Sequence, residues 1–300
     1  MFNEKKKIAV IAAITGETAR REGGPNVPVT PESIAEEAFN CYKAGASVIH
    51  IHARDPVTEL MTHDLEVFAD IMRRIREKCD ALVQTTGAFG GKVDPITNVK
   101  MPFTDEQRMG LLNLDPTQDA YPIPMSTMDL TGHDGRTNTV YNSTDFLRKV
   151  IPAAVSKGIA WEMEVWDVHA LHRGYILGQE GVFDLKGPIW LNFCMGEHTG
   201  AQPATARQLI YIADEGRRLF PQMVWEVDAR GPNHWEIMGV AVAAGCDMLR
   251  TGFEDHWTLP NGIMAKSNAE MVEATVRIIK DLGRDIATVA DAKRMLQIPR

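Results

Sequence analysis

Two histidines separated by a single residue are the pair of side chains in this chain best suited to chemistry. His50 and His52 lie in a run of β-branched apolar residues, 48–52, which is typical of a buried strand in a parallel sheet. Residues i and i+2 of a strand point to the same face, so the two imidazoles lie side by side. Neutral imidazoles bind divalent metals, and they also serve as hydrogen-bonding groups in protein cores. The pair therefore indicates either a metal site or two satisfied core histidines.

A charged cluster near the far end of the chain favours the metal site. Arg250, Glu254 and Asp255 follow another short apolar run. In a closed barrel this last strand would pair with the first, which in turn pairs with the strand of the two histidines. Two imidazoles and the Glu254 carboxylate would then form an open three-ligand site with room for substrate. The same quadrant would receive residues that follow strands one and three, namely Glu17, Thr85, Thr86 and Gly87.

The elements that must position these groups alternate between short β-branched runs and amphipathic stretches. We predict strands at 8–15, 47–53, 81–86, 125–129, 159–166, 189–195, 224–229 and 248–252. We predict helices at 32–44, 64–78, 104–112, 143–157, 168–178, 203–219, 234–244 and 267–282. Eight such units, with no G-x-G-x-x-G after the first strand, favour a single (β/α)8 TIM barrel over residues 1–300. The long connections at 16–31 and 87–124 predict lids or subunit contacts.

Composition excludes two classes of function. The formal net charge of −8 argues against nucleic-acid binding, which needs a clustered basic face. No apolar stretch approaches the roughly 20 residues of a membrane span. The four cysteines, Cys41, Cys79, Cys194 and Cys246, show no C-x-x-C spacing and are expected to be reduced thiols. These observations predict a cytoplasmic protein.

Six short motifs carry a resemblance to a known family. They are A-A-I-T-G-E at 12–17, V-I-H-I-H-A-R-D at 48–55, Q-T-T-G at 84–87, E-M-E-V at 162–165, L-R-T-G-F-E-D-H at 249–256 and A-K-S-N-A-E-M-V at 265–272. With these motifs the chain resembles, over almost its full length, the β-keto acid cleavage enzymes, whose founding member is the 3-keto-5-aminohexanoate cleavage enzyme. Taken together the motifs are specific, whereas each one alone is not.

The resemblance implies a (β/α)8 zinc enzyme with two small-molecule substrates. Such an enzyme condenses a β-keto acid with acetyl-CoA and then releases acetoacetate and a new acyl-CoA. On the matching motifs, His50, His52 and Glu254 correspond to the ligands of one Zn²⁺ per chain. The resemblance also implies a homo-oligomer, with a tetramer favoured.

Catalytic roles follow from the same matching positions. Arg250 and Asp255 correspond to the paired groups of strand eight, and Thr85 to a position usually held by serine. Asp255, held by Arg250, is predicted to be the general base or to orient it through Thr85. Glu17 corresponds to the acid after strand one and serves in catalysis or as a partner of the ligand histidines. The residues predicted to bind substrate are Thr86, Gly87, Thr127, Glu162 and Glu164.

The chain departs from the family pattern at three places. Thr85 adds a methyl group where serine is usual, and His256 replaces the usual asparagine after the Glu-Asp pair. The segment 230–235 does not follow the family's glycine-arginine pattern. Because substrate and CoA would be selected at these places, the departures bear on the substrate more than on the reaction.

The fifth predicted strand suggests what the substrate carries. Alternation turns Glu162, Glu164 and Trp166 toward the barrel lumen and their apolar neighbours toward the helices. Two carboxylates and an aromatic face favour a cation, so we expect a β-keto acid with an ammonium or trimethylammonium group rather than a dicarboxylate. The alternative is that these glutamates only hold arginines of the lumen or the ligand histidines.

Two rival functions are consistent with parts of the sequence. An amidohydrolase-like metal hydrolase also uses H-x-H in a barrel, but it places that motif on strand one and needs ligand histidines after strands five and six. Here the motif is on strand two, and His198 is the candidate after strand six. A non-catalytic barrel is disfavoured, since its lumen would not need this many ionisable residues.

Overall fold

The computed structural model describes residues 6–16, 27–59, 61–87, 92–93, 100–101, 103–131, 137–196 and 201–298. Eight strands form one parallel sheet: β1 Ala9–Ala13, β2 Val48–Ile51, β3 Leu82–Thr85, β4 Ala120–Pro124, β5 Ala160–Val165, β6 Ile189–Met195, β7 Met223–Ala229 and β8 Met248–Thr251. Each strand pairs with the next from β1 to β7, and β8 pairs with β1. The Asp247 amide, just before β8, donates to the Trp225 carbonyl of β7 at 2.9 Å, which brings the remaining edges together. The predicted (β/α)8 barrel is confirmed.

Helices follow the strands and surround the sheet. They are α1 Pro31–Ala44, α2 Leu65–Lys78, α3 Asp105–Met109, α4 Thr144–Ser156, α5 Val168–Gln179, α6 Ala206–Leu219, α7 His234–Ala243, α8 Asn268–Asp281 and α9 Val289–Leu296. Side-chain oxygens cap the amino-terminal ends of all of these helices except α7; for example, Thr30 accepts from the amide of Ser33 and Ser143 from that of Phe146. Gly45 ends α1 in the left-handed region at φ 117°, which glycine adopts without steric cost. No helix among the described residues is long and apolar enough to cross a membrane.

The fourth strand is the main correction to the predicted elements. It lies at Ala120–Pro124, whereas 125–129 was predicted, and Met128–Thr131 instead pairs with Thr137–Val140 as an antiparallel ladder. Two prolines in β4 weaken the sequence signal for a strand because they cannot donate to a ladder. The fold tolerates them because β3 and β4 pair only through Gln84 and Ala120 among the described residues.

Two helical predictions also change. The third helix is shorter than the predicted 104–112, since α3 ends at Met109 and a 3₁₀ turn, Gly110–Asn113, continues it. The ninth helix, α9, was not predicted. Its apolar residues close the barrel at the amino-terminal ends of the strands.

The apolar core of the described residues has two main parts, one on each side of the sheet, and two smaller clusters lie apart from them. The outer part lies between strands and helices and contains Ile49, Ile51, Val83 and Met163. The inner part, here called the lower lumen, fills the barrel near α9 with Ala9, Ile11, Val48, Leu82, Ala120, Trp190, Val224 and Met248. Full burial of a side chain of this kind contributes about 1.5–3 kcal/mol. Since only one half of the lumen is filled in this way, the other half is available for polar groups.

Candidate active site

Polar residues occupy the half of the lumen near the carboxyl ends of the strands. Five strands carry a polar residue two positions after a lower-lumen residue: Val48 and His50, Leu82 and Gln84, Trp190 and Asn192, Val224 and Glu226, and Met248 and Arg250. With Glu162, Glu164 and Asp228, these polar side chains form the upper lumen, and all of them are buried. Strand alternation therefore directs both layers into the barrel from the same strands.

Three side chains of this region form a metal-competent cluster. Ligand atoms of His50, His52 and Glu254 all lie within 4.8 Å of one another. The Nε2 atom of His50 is 3.3 Å from Oε2 of Glu254, and Nε2 of His52 is 3.5 Å from Oε1 of the same carboxylate. The structure thus brings together the three predicted ligands, two from β2 and its end and one from the loop after β8.

The orientation and the missing hydrogen-bond partners of the donor atoms in this cluster suit a bound cation. The Nδ1 atom of His50 lies 2.8 Å from Oε1 of Gln84, and Nδ1 of His52 lies 3.3 Å from Sδ of Met61, so both Nε2 atoms face Glu254. Among the described residues, Nε2 of His50 and Oε2 of Glu254 are buried without a hydrogen-bond partner. A buried polar atom without a partner is costly, so a metal would satisfy both. The residues present fit the metal that the sequence predicts.

Protonation in the cluster also suits a metal. Burial lowers the pKa of His50 to about 3, which keeps the imidazole neutral. Burial raises the pKa of Glu254, but Arg250 and the two histidines outweigh this effect and hold that pKa well below its usual range. A neutral imidazole and an ionised carboxylate are the forms that bind metals.

A network of charges surrounds Glu254. Arg250 donates two hydrogen bonds to Asp255, at 3.0 and 2.9 Å, and one to Glu254 at 2.6 Å. A second guanidinium, that of Arg230, lies 3.2 Å from Asp228 and 3.3 Å from both Glu254 and Asp255. The second oxygen of Asp228, Oδ1, is buried without a hydrogen-bond partner among the described residues. The predicted pair of Arg250 and Asp255 is therefore present within a larger network.

Asp255 has the properties of a base near neutral pH. Burial raises its pKa to about 6, with Asp228 adding to the increase while Arg250 and Arg230 oppose it. A general base works best when its pKa lies near the operating pH. Its bidentate contact with Arg250 fixes the carboxylate in one orientation.

Glu162 and Glu226, two glutamates deeper in the upper lumen, interact electrostatically with each other. Burial raises the pKa of Glu162 and, together with the Glu162 carboxylate, raises that of Glu226 well above its usual range. Glu162 accepts hydrogen bonds from the side-chain amides of Gln84 and Asn192, the latter at 2.9 Å, and Glu226 accepts one from the Trp190 indole at 2.9 Å. Glu162 is therefore engaged by side-chain amides of neighbouring strands, whereas the alternative interpretation of strand five named arginines of the lumen or the ligand histidines.

Glu164 has fewer protein partners than Glu162. Its hydrogen bond from the Trp166 indole is long, at 3.4 Å. Burial raises its pKa to about 8, with added repulsion from Glu162 and Asp228 that Arg250 only partly offsets. The carboxyl group is therefore neutral at pH 7 unless a positive charge approaches it.

The other predicted site residues lie at different distances from this cluster. Thr85 pairs with Ile51, whose side chain belongs to the outer core, so register places Thr85 on the helix-facing side and its successor Thr86 on the lumen side. The hydroxyl of Thr85 is buried without a hydrogen-bond partner among the described residues. At Gly87 any Cβ would collide with the Pro122 carbonyl, which explains the glycine. Glu17 lies outside the described residues.

Thr127 lies away from the metal-competent cluster. Its hydroxyl accepts from the Asn142 amide at 3.0 Å, and its side chain lines a pocket of about 540 Å³ that lies beside the start of α4 and along α5. Arg173 and Asp167 also line this pocket. The structure does not bring Thr127 together with His50, His52 and Glu254.

His256, which departs from the family pattern, packs against a second histidine. Its ring stacks on that of His234 with centroids 4.8 Å apart, and its Nε2 lies 2.9 Å from the Thr258 hydroxyl. The metal-competent cluster does not include it. This contact gives His256 a packing role.

Sequence reasoning missed several residues of the site. Glu226, Asp228 and Asn192 were not singled out, and Arg230 was noted only as part of a divergent segment. The signal was available, because Glu226 and Asp228 alternate on β7 in the same way as Glu162 and Glu164 on β5. The contacts of Asn192 and Arg230 depend on neighbouring strands and needed the folded structure.

Comparison with known proteins gives a consistent result. A model of the family described as beta-keto acid cleavage enzyme matches residues 7–298. The 3-keto-5-aminohexanoate cleavage enzyme of Fusobacterium nucleatum is 31% identical over 297 residues, which cover 98% of this chain and 99% of that protein. The 3,5-dioxohexanoate:acetyl-CoA acetone transferase of Paraburkholderia graminis is 28% identical over 306 residues, covering 98% of this chain and 96% of that protein.

A solved structure shows the same architecture. A ternary complex of ObcA with a C4-CoA adduct and oxalate superposes with a TM-score of 0.76 and 18% sequence identity. The match covers 90% of this chain and 67% of the ObcA chain. At this identity the likeness shows the barrel fold alone.

Proposed function

We propose that this chain, which belongs to the β-keto acid cleavage enzyme family, transfers an acyl group from a β-keto acid to CoA. A β-keto acid and acetyl-CoA would be converted to acetoacetate and a new acyl-CoA. The observation that carries the proposal is the cluster of His50, His52 and Glu254, with two buried atoms that lack a partner, at the mouth of the barrel. Active sites of such barrels lie at this end.

The metal we propose is one Zn²⁺ per chain. Two imidazoles and one carboxylate are a common ligand set of catalytic zinc, which keeps a further position open. When bound, zinc would act as a Lewis acid that stabilises negative charge developing on the keto oxygen of the substrate. The paired and ionised state of Glu254 supports this assignment.

Asp255 is the residue we propose as general base. It would take a proton from C2 of the β-keto acid, which is acidic because it lies between two carbonyl groups. The resulting carbanion would attack the acetyl-CoA carbonyl and release the CoA thiolate. The thiolate would then attack the original keto carbon, and cleavage of the bond from that carbon to C2 would give acyl-CoA and the acetoacetate carbanion. Asp255 would return its proton to that carbanion.

Arg250 positions this base. Its bidentate contact with Asp255, at 3.0 and 2.9 Å, restricts the carboxylate to one orientation. Arg230 reaches both Glu254 and Asp255 at 3.3 Å and balances part of the negative charge of the network. The roles of Thr85, Thr86, Gly87 and Glu17 in substrate binding or catalysis remain proposals that rest on the family motifs.

For the substrate we propose a β-keto acid that carries a cation. Burial and repulsion from Glu162 raise the pKa of Glu164 to about 8, and Arg250 only partly offsets them; a substrate ammonium group would supply the missing positive charge. Asp228 adds a buried oxygen without a hydrogen-bond partner among the described residues. Glu162 does not support this preference, since it is engaged by Gln84 and Asn192.

The metal-dependent hydrolase is not favoured. The metal-competent cluster of the described residues comes from β2 and the loop after β8, whereas that class needs histidines after strands five and six. His198 lies outside the described residues. A hydrolase would not require acetyl-CoA, so the co-substrate separates the two functions.

The decisive assay measures acetoacetate released from a panel of cationic, neutral and anionic β-keto acids, with and without acetyl-CoA. We expect acetoacetate and a new acyl-CoA in equal amounts, only when acetyl-CoA is present. Asp255→Asn protein is the matched control for non-enzymatic decarboxylation and exchange. Product formation that is independent of acetyl-CoA would contradict the proposal.

A further inference from the structure

We infer that Glu162 and Glu226 are positioning residues that act through Gln84 to hold one tautomer of His50, the tautomer whose Nε2 can bind a metal. The three side chains come from β5, β7 and β3, and none of them belongs to the metal-competent cluster itself. The inference rests on the metal site proposed above and adds residues that decide its geometry.

The amide of Gln84 provides the first step. It lies between the Glu162 carboxyl group and the His50 ring, with Nε2 donating to Oε2 of Glu162 and Oε1 at 2.8 Å from Nδ1 of His50. A primary amide can be rotated so that oxygen and nitrogen exchange places. The reversed orientation would place the amide oxygen against a carboxylate oxygen, where both are acceptors. Glu162 therefore fixes which end of the amide faces the histidine.

The orientation of the amide then sets the tautomer of His50. Because the amide oxygen can only accept, Nδ1 of His50 must carry the proton. Its Nε2 then keeps a lone pair, and this atom lies 3.3 Å from Oε2 of Glu254 without a hydrogen-bond partner among the described residues. In the other tautomer Nε2 would carry the proton and could not bind a metal. A ring nitrogen bonded in this way is the usual determinant of which nitrogen binds the metal.

Glu226 provides the last step because it keeps Glu162 an acceptor. Glu162 and Glu226 share a side-chain hydrogen bond. Two carboxyl groups in such contact in a buried site cannot both be ionised, so the pair retains one proton. Glu162 accepts from two amides, those of Gln84 and Asn192, whereas the indole of Trp190 is the donor to Glu226. The carboxyl group with more donors is the better anion, and the pKa of Glu226 is accordingly raised well above its usual range. The proton therefore resides on Glu226.

Nitrogen-15 NMR of histidine side chains in metal-free protein tests the tautomer directly. In the wild type we expect His50 as the Nδ1–H form. In Glu162→Gln the acceptor for the Gln84 amide is weakened, so His50 should become a mixture of tautomers. Glu226→Leu removes the donor to Glu162 and should also give a mixture of tautomers, whereas the conservative Glu226→Gln retains a donor and should preserve the wild-type tautomer. His52 is an internal control, since its Nδ1 faces Met61 and should not respond in any variant.

Metal affinity is the second readout, measured by competition with a chelator. Loss of such an outer partner typically weakens metal binding by about 10–100-fold, and we expect zinc affinity to fall within this range for Glu162→Gln, Gln84→Met and Glu226→Leu. The conservative Glu226→Gln should keep the wild-type affinity. Gln84→Met keeps the volume of the side chain and remains informative if the glutamate variant fails to fold.

The outcomes separate the two proposals. An Nε2–H tautomer of His50 in the wild type, or wild-type metal affinity in both Glu162→Gln and Gln84→Met, would overturn the positioning role while leaving the metal site intact. A wild-type tautomer and wild-type affinity in Glu226→Leu would overturn the part assigned to Glu226. Wild-type protein with the expected tautomer but without metal binding would instead overturn the proposed metal site.

Discussion

The lower and upper halves of the lumen are built from the same strands, but they bury opposite kinds of side chain. On β2 the apolar Val48 and the polar His50 are two residues apart, and on β8 Met248 and Arg250 have the same relation. The lower half is filled by aliphatic side chains and Trp190 and is closed by α9. The upper half holds ionisable groups, most of which contact a partner of opposite charge or an amide.

This difference shows that the lower half of the lumen stabilises the fold, whereas the upper half provides the groups for binding and catalysis. Apolar burial in the lower half is favourable at every position, whereas a buried charge costs free energy unless it is paired. A protein that only needed to fold would fill both halves with apolar residues. The separation predicts that substitutions in the lower half change the free energy of unfolding without changing turnover, whereas those in the upper half change binding or turnover, with or without an effect on stability.

The largest effect is expected at the proposed base. Asp255→Asn keeps the size of the side chain but cannot accept a proton, so kcat should fall by about 10²–10⁴-fold. Metal content should not change, because Asp255 is outside the metal-competent cluster. Arg250→Ala should also lose turnover, although it removes a 2.6 Å partner of Glu254 as well. Turnover of Asp255→Asn within a few-fold of the wild type would contradict the role of this residue.

A substitution in the lower half should lower stability and leave turnover unchanged. Leu82→Ala leaves a cavity among apolar neighbours and should lower the free energy of unfolding by about 2–5 kcal/mol. Its metal content and its kcat should match the wild type at a temperature where both are folded. Urea unfolding and steady-state kinetics on the same preparation check both parts. A large loss of kcat with little loss of stability would break the proposed separation.

The pH dependence of stability should reveal the raised pKa of Glu164 in the upper half. Glu164 has an ordinary pKa of 4.5 and a folded value of about 8. Between these values the folded state keeps a proton that the unfolded state releases, so the wild type loses stability as pH rises and levels off above about 8. Glu164→Gln removes this loss, and its advantage should grow from pH 5 to pH 8.5. Parallel stability curves for the two proteins would refute the raised pKa.

The smallest effect concerns the charge of the substrate. If Glu164 contacts a substrate ammonium group, the ratio of kcat/KM for a cationic to an anionic β-keto acid should exceed one in the wild type. In Glu164→Gln that ratio should fall by about tenfold, the effect of losing one charge-assisted hydrogen bond. Glu162→Gln is not suitable for this test, because its side chain also orients Gln84. Equal losses on both substrates would refute the preference for a cation.

Much of this site could be predicted from the sequence, because it depends on periodicity and strand order. Alternation on β2 predicted that His50 and His52 share a face, and the closure of the barrel predicted that Glu254 would lie near them. The fourth strand could not be located in this way, because Pro122 and Pro124 resemble loop residues.

Contacts between side chains of three different strands also could not be predicted from the sequence. The bonds of Gln84 to both Glu162 and His50 depend on side-chain positions that only folding defines. Arg230, which carries the second guanidinium of the network, lies in a segment without a recognised motif, so nothing in the sequence pointed to its role.

The central claim is that the upper lumen holds a catalytic metal at His50, His52 and Glu254. Metal analysis of purified protein tests it most directly, with the His50→Ala/His52→Ala variant compared with the wild type and with Leu82→Ala as a matched control from the lower half. We predict one zinc per chain in the wild type and in the control, and none in the double variant. Full metal content in the double variant would contradict the account.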